Sequence, residues 1–341
     1  MMDRLLKSVA IVATMTIQVA AQQSSAATTR PWTAPLAQDG HPDLQGTWIN
    51  KSATPLERPI ALEGRQSLTD DEVNELKKRN DRIFGAGRSD DALGDSFFQV
   101  LLDNPDRYRS PNSTEDSLIV DREFDNRTSL IIDPPDGKMP TYTAMGRQRR
   151  AEHVAGLLAT ETISGAADLP AEQRCITFGV PRVGSIFSAA PYAYTQIVQT
   201  PDHVVFFMEA IHEARIIPLD GRPHLAPGIG TWEGDSRGRW EGNALVVDTT
   251  NFSAKTNFLG AGNDLHLIER YTRVALDEIR YEVTVEAPKT WVKPWTAMVR
   301  LKRTEDKIYE FACHEGNAPI METMLRGAVA RDKAYDGAKN K

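Results

Sequence analysis

LHLIERYTRVALDEIRYEVTVE, residues Leu265–Glu286, decides the fold. Leu265, Leu267, Glu269 and Tyr271 alternate with His266, Ile268, Arg270 and Thr272. After Ala275–Glu278 the alternation resumes: Ile279, Tyr281, Val283 and Val285 face one way, Arg280, Glu282, Thr284 and Glu286 the other. Period two belongs to strands with one face buried, and the short interruption is turn material. No helical stretch separates the two runs, so they pair antiparallel; a parallel α/β sheet would need crossovers.

Working outward, Val299 and Leu301 oppose Arg300 and Lys302, and Tyr309, Phe311 and Cys313 oppose Glu310, Ala312 and His314. Upstream, Thr195–Gln199 and His203–Ile217 read as strands around a Thr200-Pro201-Asp202 turn. Ser129–Asp133 is a shorter strand, stopped by Pro134-Pro135-Asp136-Gly137. Helices fall at the margins. Thr69 with Glu72 forms a capping box ahead of a sparse apolar face at Val73, Leu76 and Ile83. An apolar island at residues 97–102 is a short helix within a polar loop, residues 90–117, and Ala144–Ala159 is a further helix. Ile320, Met321, Met324, Leu325 and Ala328 stripe a last helix over 318–332, before a frayed tail at 333–341. The chemistry-bearing segment is Val204–Phe252, where apolar strand residues mix most densely with His, Glu, Asp and Arg. The fold class is mainly β: one β-rich domain over residues 31–332, irregular and helical over 60–175 and a meander over 195–314, with two or three peripheral helices.

The N-terminus carries Arg4 and Lys7 before a short apolar run, Ser8–Ala21, ending in small residues. That is the layout of an export signal, cleaved after Ala21 or Ala27, and the run is shorter than the ~20 residues a membrane span needs. Residues 22–30 are a small, polar leader. The expected location is therefore periplasmic or secreted. There the two cysteines, Cys175 and Cys313, are expected to form a disulfide. A net charge of −7 argues against a nucleic-acid partner, which would need a concentrated basic face.

Several residues are candidates for chemistry. His212, placed on a strand face with Met208, Ala210 and Ala214, reads as a base in an apolar setting, where burial disfavours the imidazolium. Glu209 and Arg215 share the opposite face as an orienting acid and an anion stabiliser; a hydrogen-bonded core histidine and an ordinary ion pair are the competing readings. Arg222, His224, Asp235 and Arg237 crowd the turns around residues 219–239, where ligand contacts gather, although Asp, Ser and Gly there also serve the turns themselves. Trp232, with Trp240, is a candidate stacking surface or else core. No HExxH, GxSxG, GxGxxG or GxxxxGK[ST] occurs, so no metal and no cofactor is expected.

Gly46-Thr47-Trp48 ahead of an antiparallel meander resembles the lipocalin and wider calycin pattern. That resemblance implies a calycin-like barrel or strongly curved sheet, with Arg300 or Arg303 covering Trp48. PDLQGTW, SLIIDPPDG, RCITFGVPR, LDGRPH and GDSRGRWEGNALVVDTTNF are similar to the recurrent blocks of a group of secreted bacterial proteins of uncharacterised activity. This likeness implies one mature unit and carries over no reaction. The expected function is a secreted or periplasmic enzyme acting on a small aromatic, terpenoid or sugar-derived molecule. Its chemistry would be cofactor-independent acid–base chemistry: a lyase, isomerase or hydrolase. The alternatives are a small-ligand carrier with a lipocalin-like cavity and a carbohydrate-binding or structural envelope protein. The expected partner is a small-molecule ligand or substrate, with no membrane span; the oligomeric state is not legible.

Overall fold

The computed structural model describes residues 32–85, 92, 94–109, 121–158, 165, 169–188 and 192–339. The expected signal, leader and cleavage points lie outside them, as does part of the expected loop over 90–117. The chain divides into Met1–Trp32 and Thr33–Lys341, and every described strand and helix belongs to the second unit.

Ten strands form one antiparallel sheet: β1 Gly46–Asn50, β2 Ile131–Asp133, β3 Tyr194–Gln199, β4 His203–Met208, β5 Ala214–Pro218, β6 Asp235–Glu241, β7 Ala244–Thr250, β8 His266–Ala275, β9 Glu278–Glu286 and β10 Trp295–Thr304. The hydrogen-bonded order is β5-β4-β3-β1-β10-β9-β8-β7-β6, with β2 paired beside β10. The pairing of β1 with β10 joins two meanders, so the sheet curls until its end strands, β5 and β6, face each other. The result is a nearly closed barrel. Side chains rather than a backbone ladder span the seam between β5 and β6. Gly238 makes the approach feasible: a Cβ there would lie 2.6 Å from Leu219 Cδ2 and 2.9 Å from Ile217 Cγ2.

The alternation read in the sequence is the in–out pattern of the barrel. Leu267, Glu269 and Tyr271 on β8 and Ile279, Tyr281, Val283 and Val285 on β9 are buried, with Tyr271 opposite Tyr281 in the ladder. Trp48 is fully buried and donates from Nε1 to the Leu44 carbonyl at 2.8 Å. The guanidinium groups of Arg273 and Arg303 lie 5.6 and 6.0 Å from its ring centre. Arg300 instead lies on the outer face, 3.7 Å from Glu278.

Five α-helices occur among the described residues, more than the two or three expected: α1 Asp70–Ile83, α2 Ser96–Asp103, α3 Ala144–Leu158, α4 Cys313–Gly316 and α5 Ala318–Lys339. The capping box is present, with Thr69 N–H donating to Glu72 at 2.8 Å and Glu72 N–H to Thr69 Oγ1 at 3.3 Å. Buried faces of α1 and α2 meet around Val73, Leu76, Phe97 and Leu101 in a satellite core. No helix among the described residues is long and apolar enough to cross a membrane.

Three expectations are corrected. The strand expected over 203–217 is two, β4 and β5, because the backbone turns at residues 209–213 with Ile211 and His212 at φ 60° and 53°. Tyr309–Phe311 is not a strand; the chain there is irregular and enters α4 at Cys313. The last helix runs to Lys339 instead of stopping at residue 332; the side chains of Ile320, Met324 and Ala328 in its expected stripe lie outside the described set. Cys175 and Cys313 form the expected disulfide across a separation of 138 residues, with Cα atoms 5.9 Å apart.

Candidate active site inside the barrel

Inside the barrel, strands from both meanders contribute a cluster of polar side chains to the mostly apolar interior. Arg215 on β5 is buried and reaches across the seam. Its Nε donates to Ser236 Oγ on β6 at 3.0 Å, one Nη donates to Thr249 Oγ1 on β7 at 2.6 Å, and the same Nη pairs with Glu269 on β8. The second Glu269 oxygen accepts Tyr271 OH at 3.0 Å and Tyr281 OH at 2.8 Å, with the two tyrosine rings stacked 4.7 Å apart. Burial alone would lower the Arg215 pKa, but the Glu269 charge and hydrogen bond outweigh it. Burial, and then the Glu269 charge, push both phenols well above their ordinary range. Every oxygen of Glu269 has a donor, which is what a carboxylate in such a place requires.

Above this level sits a plug, residues 169–188. Val180 and Val183 insert into the main core, and the disulfide at Cys175 ties the plug to the end of the barrel chain. Arg182 of the plug pairs with Glu213, in the β4–β5 turn. Thr177 of the plug donates to Glu233 at 2.9 Å. The Glu213 carboxyl is pushed up to about 8, first by burial and then by the hydrogen-bonded Glu233 beside it, against the pull of Arg182. Two adjacent carboxylates in a dry site do not both ionise readily. Arg182 Nε, Arg182 Nη1 and Glu213 Oε1 are buried and have no protein partner among the described residues.

Between plug and tyrosines lies a cavity of about 40 Å³, lined by Arg182, Arg215, Glu269, Tyr271 and Tyr281 together with apolar Val180, Phe206, Met208 and Leu301. A volume of this kind holds about three water-sized groups.

The sequence candidates scatter. Arg215 is at the heart of the interior network, bonded to Glu269 and not to Glu209. His212 is exposed, in a turn; its Nε2 accepts the Phe311 N–H at 3.1 Å, so the apolar strand setting expected for it is overturned. Glu209 accepts the Tyr309 N–H at 3.2 Å, and burial raises its pKa against that bond. Together Glu209 and His212 pin the irregular segment 309–311 to the barrel. Arg222 is exposed and closes on its neighbour Asp220. Trp232 is half-buried, and its carbonyl accepts Thr256 Oγ1 at 2.9 Å. Trp240 is stacked on His41 at 4.8 Å, so the two tryptophans are not a shared exposed face.

His224, Asp235 and Arg237 are brought together, but outside the barrel. His224 Nδ1 lies 3.0 Å from Asp235 and Nε2 lies 3.1 Å from Asp248. His266 continues the row, with Nε2 3.2 Å from the same Asp248 oxygen and Nδ1 2.9 Å from Glu286. Burial pushes the Asp235 carboxyl up, but the Leu225 N–H, His224 and Arg237 together hold it below its ordinary value. Among the described residues no group of three or more His, Cys, Asp and Glu is arranged to hold a metal ion.

Sequence reasoning missed Arg182, Glu213, Glu233, Glu269, Tyr271 and Tyr281 as site residues. For Glu269 a signal existed: it occupies an apolar-face position of the deciding strand. Arg182 and Glu233 lie in loops without periodicity and carried none. Searches against protein-family models, curated proteins and solved structures find no match to the chain.

Proposed function

We propose that the chain is an exported enzyme performing acid–base chemistry on a small organic molecule, one oxygen of which enters the barrel cavity beneath the plug. The observation that carries this reading is the Arg182–Glu213 pair: buried, on or beside the cavity, and with two N–H donors and one carboxyl oxygen still open among the described residues. Most buried polar groups in a folded protein are satisfied, and exceptions collect where a ligand completes them. In this reading Arg182 receives charge developing on the substrate oxygen. Glu213 is the proton donor, because its neutral form persists to about pH 8. Glu233, beside it, is the neighbour through which the proton is exchanged. The Arg215–Glu269–tyrosine network, in which both Glu269 oxygens have donors, acts by positioning, fixing the floor of the cavity.

The disulfide supports the exported setting, since such bonds persist in oxidising compartments. The test is a carboxyl-carbon NMR titration of Glu213 together with melting-temperature screens of small organic compounds on the wild type and on Arg182→Met. The expected result is a Glu213 carboxyl titrating several units above the ordinary ~4.3 and ligand shifts that vanish in Arg182→Met. An ordinary titration with no Arg182-dependent ligand would sink the proposal.

A further inference from the structure

We infer that the group this cavity receives is an uncharged oxygen, the carbonyl or ether oxygen of a neutral ester, lactone or ketone with an apolar flank, and not a carboxylate or a phosphate. The inference rests on the reading of the cavity as the substrate site and specifies its chemistry.

Charge is the first argument. Both guanidinium groups on the cavity already have a carboxyl partner: Arg215 pairs with the Glu269 carboxylate and Arg182 with the Glu213 carboxyl, which is held neutral. With Glu213 neutral, the charge that offsets Arg182 is that of Glu233, beside Glu213. The cavity therefore offers no unbalanced positive charge. An incoming anion would be buried beside three carboxyl groups and two cations that are already committed. Burying an uncompensated charge is far more costly than burying a neutral, hydrogen-bonded oxygen.

Donors and lining give the second argument. Arg182 Nε and Nη1 are N–H donors in need of acceptors, and an uncharged carbonyl or ether oxygen accepts from one of them without bringing charge. The walls beside them, Val180, Phe206, Met208 and Leu301, are apolar and suit a hydrocarbon flank.

The experiment compares matched neutral and anionic probes at pH 7: methyl benzoate against benzoate, and δ-valerolactone against 5-hydroxyvalerate. Binding is read by calorimetry on the wild type, on Arg182→Met and on the double variant Arg182→Met/Glu213→Gln, which removes the ion pair together and guards against misfolding of the single variant. Near-ultraviolet circular dichroism confirms that each variant is folded. The neutral member of a pair is expected to bind at least about tenfold more tightly than its anion. That preference should be lost in both Arg182 variants, and Glu233→Gln, which removes the negative charge offsetting Arg182, should narrow it. Anions binding as tightly as their neutral partners, in an Arg182-dependent way, would overturn the inference and leave the cavity as the site. Probes of both kinds binding indifferently to Arg182, or not at all, would overturn the inference together with the cavity reading beneath it.

Discussion

Glu269 is 1 % exposed in the middle of an apolar strand face, and its tolerance there depends on three side chains from three strands. Arg215→Met removes the cation paired with it and leaves a buried carboxylate held by two phenols. We expect a loss of about 3–5 kcal/mol in denaturant unfolding, with much of it recovered in Arg215→Met/Glu269→Gln, where no charge is stranded. Equal losses in the single and double variants would show that the stranded Glu269 charge is not the source of the loss. Glu213 works in the opposite sense. Its folded pKa, about 8, lies above the ordinary carboxylate value, so the folded state binds the proton more tightly. The stabilisation is therefore fully present below the unfolded pKa, about 4.3, and is lost as pH rises toward 8. Glu213→Gln should flatten that slope, on the order of 2 kcal/mol after allowing for Arg182. A wild-type stability that climbs between pH 5 and 8 by an amount Glu213→Gln abolishes would contradict this.

At the scale of elements, two connections decide how the site is held. The first is the β5–β6 connection, residues 219–234, which carries Glu233 and is clasped to the outer sheet by His224 between Asp235 and Asp248. His266 extends the clasp, sharing the Asp248 oxygen with His224 and meeting Glu286 through its other ring nitrogen. His224→Gln should speed amide hydrogen exchange across residues 221–231 at a stability cost of about 1 kcal/mol. Unchanged exchange there would mean that the clasp does not restrain the connection. The second is the plug. Cys175→Ser/Cys313→Ser should lower stability by about 2–4 kcal/mol and raise exchange at residues 175–188 before the strands. Because the plug supplies Arg182, the same variant should weaken any ligand that depends on that residue. Ligand binding unaffected by loss of the disulfide would separate the plug from the site.

For the molecule as a whole, the features legible in the sequence are the local ones. The meander β7–β10 shows itself because each strand pairs with the next and each buried face repeats every second residue. The Thr69–Glu72 cap shows itself because both partners lie within one turn. The interior site does not, because its contacts join residues far apart: Arg215 with Glu269 at a separation of 54, Arg182 with Glu213 at 31. His212 was misplaced for a related reason. Residues 203–217 alternate well enough for one strand, and nothing local announces that Ile211 and His212 adopt positive φ. The closing of the barrel is likewise a global property. β5 and β6 share no backbone ladder, so the seam depends on Arg215 reaching Ser236 and on the missing side chain of Gly238. Gly238→Val would drive a branched side chain into Ile217 and Leu219. Overpacking of this kind costs about 1–3 kcal/mol, and here the strain can be released by parting the seam. We therefore expect faster exchange in β5 and β6, exposure of the Arg215–Glu269 network to solvent and weaker binding in the cavity, while β8–β10, laddered on both sides, keep their protection. If exchange instead rises uniformly through all strands, the seam is not a separable part of the barrel, and Gly238 serves global packing alone.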